Sequence, residues 1–381
     1  MDRRLRLGMV GGGQGAYFGI VHRVAARLDD HYEFVAGALS SDPQRAADSA
    51  RELRLDPTRS YSDYREMARL EAMRNDGIDA VAIVTPNHLH APVATAFLEA
   101  GIHVICDKPL AVSVEEALAL QTLSRSTGKL LAITYTYSGY PMVRHARELV
   151  TSGELGEIRF INVEYVQEWL AEPVEQRRNK QAEWRTDPER SGPGGCLGDI
   201  GTHAYHIAAF VSGMLPSELS ADVVTMVPGR RLDDHVQVML RYPSGARGTL
   251  VTSQIATGEG NALRLRMYGT KASLSFDQEH PDFLWYTPLN GNTTRLTKGR
   301  AHSSSGDHAT RFPAGHPQGF FEAFAQLYRD AALQIAAMID HRSIPECSKL
   351  LTTVDDGVEG MKFIAAALRS SANGGVRTAI D

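Results

Sequence analysis

The sequence predicts an α/β protein in two parts: a doubly wound parallel sheet first, then an α/β portion built on a mostly antiparallel sheet. Three observations predict it. Short apolar runs alternate with helical patterns through the first third of the chain. A glycine-rich turn, Gly11 to Ala16, joins the first such run to the first helix. After Gly213 the helical pattern gives way to consecutive runs of alternating polar and apolar residues. Strands alternating with helices imply parallel βαβ units, whereas strands following strands imply hairpins and an antiparallel sheet.

Residues 4–10 read as a strand running directly into Gly11-Gly12-Gly13-Gln14-Gly15-Ala16. The spacing fits G-x-G-x-x-A, with Gly11, Gly13 and Ala16 in the fingerprint places and Gln14 and Gly15 inside the turn. Gly11 permits the tight turn, Gly13 lets the backbone approach a pyrophosphate, and the small Ala16 allows close helix packing. A helix over 20–28 then points its first N–H groups at the phosphates. Strand before and helix after is the context of a Rossmann unit; the alternative is a glycine-rich loop without a ligand.

The second strand, 32–39, ends in Ser40-Ser41-Asp42-Pro43. NAD-specific units place an acidic residue at this strand end, on the ribose 2′-OH. Here that place falls on Ser40, with Asp42 two residues late. Without the carboxylate a 2′-phosphate is not repelled, and Ser40, Ser41 and Arg45 can bind one. The choice between NAD and NADP therefore tilts slightly towards NADP, or dual use. The competing reading is an ordinary turn in which Asp42 caps the next helix.

Helices over 43–53 and 62–73 lead to a buried strand, 78–84, ending in Thr85-Pro86-Asn87-His88-Leu89-His90. A helix over 92–100 and a strand over 103–106 follow, ending in Asp107-Lys108-Pro109-Leu110. A helix over 113–127, with Glu115 and Glu116 in its first turn, leads to a strand over 129–134. Ligands of such sheets sit beyond the carboxyl ends of the strands. The glycine turn, Ser40, Thr85, Pro86, Asn87, His90, Asp107 and Lys108 all fall there, which makes them the candidate cofactor residues. Lys108, fixed by the proline after it, is placed to touch both a substrate hydroxyl and the nicotinamide ribose.

The second stretch that carries chemistry runs from Gly192 to His206. A helix beginning near Leu197 sets Asp199 and His203 one turn apart on one face. A carboxylate under an imidazole orients the ring and raises its basicity, which suits a general acid/base. Asp199, His203 and His206 also have the donor types of a zinc site. A helical D-x-x-x-H-x-x-H is not a common catalytic spacing, however, and a lysine that neutralises a developing alkoxide makes a metal unnecessary. No metal is expected, and His206 reads as structural.

Taken together, these residues resemble the glucose–fructose oxidoreductase, inositol dehydrogenase and MocA family. The resemblance covers nearly the whole chain. It is carried by the glycine turn, Thr85-Pro86-Asn87-x-x-His90, Asp107-Lys108-Pro109, Trp184-Arg185, and Gly194-Gly195-x-Leu197-x-Asp199-x-Gly201-x-His203. It implies a Rossmann domain followed by an α/β domain whose large, open, mostly antiparallel sheet serves oligomerisation. It also implies Lys108, Asp199 and His203 as catalytic residues, and a sugar, cyclitol or related polyol as substrate. Two places depart from the family pattern: Asp107 stands for the usual Glu, and Ser40 for the acidic residue that marks NAD specificity.

The boundary is expected near 134–140, giving a nucleotide-binding domain over 1–134 and a substrate and oligomerisation domain over 135–381. Tyr135, Tyr137 and Tyr140 cluster there. Such tyrosines can hold sugar hydroxyls, or can be core aromatics with satisfied hydroxyl groups. A helix over 141–152 and a long strand over 158–166 follow. Residues 169–187 read as a polar, irregular substrate lid. Its charge run, 176–180, reads as solvated surface, but Trp184 and Arg185 suit a polyhydroxylated or anionic ligand. Strands are expected over 219–227, 235–242, 248–255, 263–268, 272–276 and 283–287, then a long loop over 292–317 and helices over 317–339 and 354–370. The exposed face of that sheet predicts a homodimer or homotetramer.

Composition excludes other classes. The 381 residues are 43% apolar and 22% charged, with a formal net charge of −5. There is no basic footprint for nucleic acid, and no apolar run approaches the roughly 20 residues of a membrane span. No signal-peptide pattern opens the chain, and three scattered cysteines make no disulfide framework, so a cytoplasmic setting is expected. The rival readings are a dehydrogenase of a non-sugar substrate, such as a dihydrodiol or an imine, and a non-catalytic NAD(P)-binding sensor.

Overall fold

The computed structural model describes residues 3–177 and 179–381. Arg178, part of the charge run read as solvated surface, lies outside them. The chain divides into two compact units, one running to Thr136 and taking in Phe320–Val358, the other comprising Tyr137–Gly319 and Glu359–Asp381.

Among the described residues the first unit holds a five-stranded sheet, in which every neighbouring pair is parallel. Its strands are β1 (Leu5–Gly11), β2 (Tyr32–Ala38), β3 (Ala80–Val84), β4 (His103–Cys106) and β5 (Leu131–Ile133), in the order β2-β1-β3-β4-β5. A sheet covered by crossover helices is buried on both faces, so its strands read as continuous apolar runs rather than alternations. Ala-Val-Ala-Ile-Val in β3 and the wholly buried β4 are such runs. Sequence order places the helix Phe320–Ile339 in the second part, but it belongs to this unit. Its apolar stripe, including Phe324, Tyr328 and Ile335, joins Leu5, Leu7, Met9, Val21 and Ala25 in one core.

The second unit holds a nine-stranded sheet among the described residues. Its strands are β6 (Ile158–Val166), β7 (Glu218–Val224), β8 (His235–Arg241), β9 (Arg247–Ser253), β10 (Ala262–Gly269), β11 (Ala272–Asp277), β12 (Phe283–Pro288), β13 (Thr294–Thr297) and β14 (Thr378–Ala379). The order is β13-β12-β11-β10-β6-β9-β8-β7-β14, antiparallel except between β6 and β9. Here the strands alternate, as in His-Val-Gln-Val-Met-Leu-Arg of β8, where Val236, Val238 and Leu240 are buried while Gln237 and Met239 are exposed.

Two segments expected to be irregular contain structure. Within 292–317 lie β13 and the short helix Ser304–Ala309, whose start is tied to Glu148: its Oε2 accepts from the hydroxyl groups of Ser303 and Ser305, each at 2.8 Å. Within 169–187 lies the helix Lys180–Arg185, capped by Asn179. Both are short elements whose stabilising partners are caps and distant side chains rather than an apolar period. No helix among the described residues is long and apolar enough to cross a membrane.

Candidate active site

The glycine turn leaves β1 with Gly11, Gly12 and Gly15 at positive φ. A Cβ on Gly11 would lie 2.4 Å from the Val84 carbonyl oxygen, and one on Gly13 2.6 Å from that of Leu39. The turn is therefore packed against the ends of neighbouring strands and is restricted to glycine at these places. Ala16 is the residue just before the helix Tyr17–Leu28 and is only partly buried. The closest helix contact falls instead at Gly19, whose Cβ would meet the Gly12 carbonyl oxygen at 2.1 Å. The helix start has no side-chain cap and no acidic residue in its first turn. Such an end suits an anionic group, so these residues fit a dinucleotide pyrophosphate. Gln14 is exposed; its backbone N–H donates to Ser49 Oγ at 3.2 Å, and its side chain reaches Glu52.

At the end of β2, Asp42 caps the helix Pro43–Glu52 by accepting from the Arg45 N–H at 2.8 Å. Ser40 Oγ accepts from the Asp42 N–H at 3.2 Å, while Ser41 and the Arg45 side chain are exposed. The capping turn offered as the competing reading is thus present.

Thr85, Pro86 and Asn87 follow β3, and Asn87 is buried. His90 is fully buried, with Nδ1 2.7 Å from the Pro109 carbonyl oxygen and Nε2 2.9 Å from that of Thr85. Burial pulls it below the ordinary histidine value, against the opposing influence of those carbonyls and Asp107. Asp107 and Lys108 follow β4, both partly buried, and the Lys108–Pro109 peptide is cis. Asp107 Oδ1 lies 3.0 Å from His22 Nε2 and accepts from Thr134 Oγ1 at 2.6 Å. Burial pushes this carboxyl up, but His22, Thr134 and His90 outweigh it and hold it at about 2. Tyr135 is buried, and burial pushes its phenol up.

In the second unit, the expected helix near Leu197 begins as a wider π-helical turn, Leu197–Gly201, before the α-helix Thr202–Ser212. The Thr202 N–H bonds back to the carbonyl of Leu197. Such turns recur at functional sites. Asp199 lies in this turn and His203 in the helix that follows. Asp199 Oδ2 accepts from Gln254 Nε2 at 2.8 Å and lies 3.5 Å from Arg185 Nε. The Arg185 guanidinium sits over the Trp184 ring, 4.2 Å from its centroid. His203, 8% exposed, packs edge-on against Tyr137 at 4.8 Å. The Tyr137 hydroxyl bonds to that of Tyr165, which donates to Asn261 Oδ1 at 2.7 Å. Tyr137 thus buttresses the imidazole with its own hydroxyl engaged. His206 is buried and packs against Phe210.

Three residues absent from the sequence reading shape these turns: His22, Gln254 and Asp233. Asp233 is buried, and its two carboxylate oxygens accept the N–H groups of Gly195 at 2.6 Å and Leu197 at 2.7 Å. Burial pushes it up to about 6 despite those two donors. A histidine on the buried face of the first helix, and an Asp-Asp pair just before a strand, were the available signals. Gln254 carried none.

A parallel sheet with a glycine turn shaped for a dinucleotide, and a second unit carrying an Asp/His turn, define an oxidoreductase with an NAD-binding Rossmann domain. Two family profiles match: “Oxidoreductase family, NAD-binding Rossmann fold” over residues 5–135, and “GFO/IDH/MocA C-terminal domain” over residues 143–275. The chain belongs to the GFO/IDH/MocA oxidoreductase family. It is 34% identical to the uncharacterized oxidoreductase YfiI of Bacillus subtilis, over 99% of this chain and 97% of that one. Among solved structures it resembles an oxidoreductase from Sinorhizobium meliloti, with a TM-score of 0.89 and 45% identity over 99% of each chain. It also resembles an inositol dehydrogenase homolog from Azotobacter vinelandii complexed with NADH and myo-inositol, with a TM-score of 0.92 and 33% identity over 100% and 98%.

Proposed function

We propose that the protein transfers a hydride between a nicotinamide dinucleotide and a secondary alcohol or ketone of a sugar, cyclitol or related polyol. One observation carries the reading: Lys108 stands at the carboxyl end of β4, in the same parallel sheet whose strand ends bear the glycine turn. The likeness to a protein complexed with NADH and myo-inositol supports the substrate class. Bound NAD(P) supplies the hydride acceptor or donor. In the oxidative direction His203 takes the hydroxyl proton and Lys108 stabilises the forming alkoxide. Asp199, gripped by Gln254 and Arg185, orients His203 and hydrogen-bonds a neighbouring hydroxyl. Tyr135, Trp184 and Arg185 are the proposed substrate contacts, with Tyr137 holding the imidazole. Thr85, Pro86, Asn87, Ser40, Ser41 and Arg45 are the proposed cofactor contacts beyond the glycine turn.

Association through the second sheet belongs to the same proposal. A cross-strand row, Met239, Thr249, Asn162, Arg266, Ser275 and Trp285, runs over its uncovered face. Met239 and Trp285, at the two ends of this otherwise polar row, are 59% and 45% exposed, on a face that a second copy would cover.

The test begins with fluorescence titration by NADH and NADPH, followed by a turnover screen of myo-inositol and aldoses. Binding of either cofactor with turnover of a polyol supports the reading. NADPH preference assigns the 2′-phosphate to Ser40, Ser41 and Arg45. Cofactor binding without turnover of any polyol favours the non-catalytic sensor, and no binding removes the enzyme reading altogether.

A further inference from the structure

Lys108 is flanked by two residues that are each held by a buried histidine. On its amino side, Asp107 is met by His22 Nε2 at 3.0 Å and Thr134 Oγ1 at 2.6 Å. On its carboxyl side, the Pro109 carbonyl faces His90 Nδ1 at 2.7 Å. Both rings are fully buried. They come from different helices, Tyr17–Leu28 and His90–Glu99.

Each histidine is also fixed at its far nitrogen. His22 Nδ1 lies 2.7 Å from the Tyr328 hydroxyl. An ionised carboxylate only accepts, so Nε2 carries the proton shared with Asp107 and Nδ1 is left to the phenol. His90 Nε2 lies 2.9 Å from the Thr85 carbonyl; both neighbours of this ring are acceptors, so the neutral imidazole donates its one N–H to Pro109 or to Thr85 while packing between the turns after β3 and β4. Neither ring has a nitrogen left for a ligand, and a hydrophobic residue would fill the space without the polar contacts. Buried polar side chains that join one short turn from both sides specify its geometry, because each lost contact strands a buried group.

We propose that His22 and His90 are positioning residues that clamp the Asp107-Lys108-Pro109 turn and thereby fix where the Lys108 amine sits. The inference rests on Lys108 being the reacting amine of the proposed function, but its test reads the amine itself. A lysine held in one place senses fixed charges at fixed distances. Releasing its turn changes the protonation and access of the amine without touching it.

The experiment is competitive acetylation with acetic anhydride between pH 8 and 11, read by mass spectrometry at Lys108, with Lys129 as a reference in the same unit. His22→Phe and His90→Phe are expected to change the Lys108 rate at fixed pH by threefold or more and leave Lys129 unchanged. His22→Gln, which keeps an amide donor, is expected to restore the wild-type profile. Should the Phe variants fail to fold, Thr134→Val removes a contact of the same clamp from its other side, leaves the charges beside Lys108 unchanged, and is expected to shift Lys108 in the same way. An unchanged Lys108 profile in folded variants overturns the proposal, as does an equal change at Lys129. Both results stand whether or not a polyol is turned over, so failure of the clamp is distinct from failure of the hydride-transfer reading.

Discussion

Two aspartates, one partly buried and one buried, brace the two turns of this molecule expected to do chemistry, and they are held in opposite ways. Asp107, beside Lys108, faces His22 and Thr134 and is kept at about 2. Asp233, under the turn that leads to Asp199 and His203, faces two backbone N–H groups and is pushed up to about 6. Both are desolvated. The difference lies in the surroundings: an imidazole and a hydroxyl offset the cost of a buried charge at Asp107, whereas the amide dipoles at Asp233, beside the like charge of Asp234, do not. The first turn is thus fixed by a robust charge, and the second by one that is lost just below neutral pH.

Removing the proposed reacting groups should give the largest effect and should not distinguish the two turns. Lys108→Ala and His203→Ala are each expected to lower kcat on the order of 10² to 10⁴, with NADH affinity little changed. Steady-state kinetics with a cofactor titration checks this, and near wild-type turnover in both variants would sink the assignment. Removing the braces should separate the turns. Asp107→Asn loses a favourably held charge and is expected to cost about 2 kcal/mol at pH 7, read by chemical denaturation. Asp233→Asn gives up one N–H acceptor but also an unfavourable charge, so its stability at pH 7 should stay within about 1 kcal/mol. Its effect belongs in kcat, which should fall several-fold as the turn below Asp199 loosens. An Asp233→Asn enzyme with full kcat would show that this brace is structural only.

The fold was largely legible because each sheet writes its burial into the strands. β4 and β6 lie where the apolar run and the alternation place them, with Ser113 capping the helix Val114–Thr127 and Gly128 closing it in the left-handed region. The helix Ser304–Ala309 was not legible. Ser-Ser-Gly-Asp-His-Ala has no apolar period, and its start is tied to Glu148, distant in sequence. The turns proposed to carry the chemistry are readable as motifs, since glycines, Asp-Lys-Pro and Asp199 with His203 are local patterns. What holds those turns is not. His22 reaches Asp107, and Asp233 reaches Gly195 and Leu197, only once the chain has folded. A π-helical turn likewise leaves no periodicity to recognise in five residues, Leu-Gly-Asp-Ile-Gly.

The smallest effect is the most discriminating, because pH acts on the two aspartates in different windows and with opposite sign. Asp107 has a native value below its ordinary 3.8, so the unfolded chain binds its proton more readily. Its contribution, about 2 kcal/mol, is complete above pH 4 and is lost as pH falls towards 2. Asp233 has a native value above 3.8, so the folded chain binds the proton more readily. Relative to Asp233→Asn, the wild type should therefore gain stability as pH falls from 7 to 4, by about 3 kcal/mol at most. Over that same interval the gap between wild type and Asp107→Asn should stay flat. Chemical denaturation of the three proteins at pH 4.5 and pH 7 reads both expectations. A flat gap for Asp233→Asn would mean that the Gly195 and Leu197 N–H groups stabilise its carboxylate as fully as His22 and Thr134 stabilise that of Asp107. The contrast between an imidazole and a pair of amide dipoles would then fail.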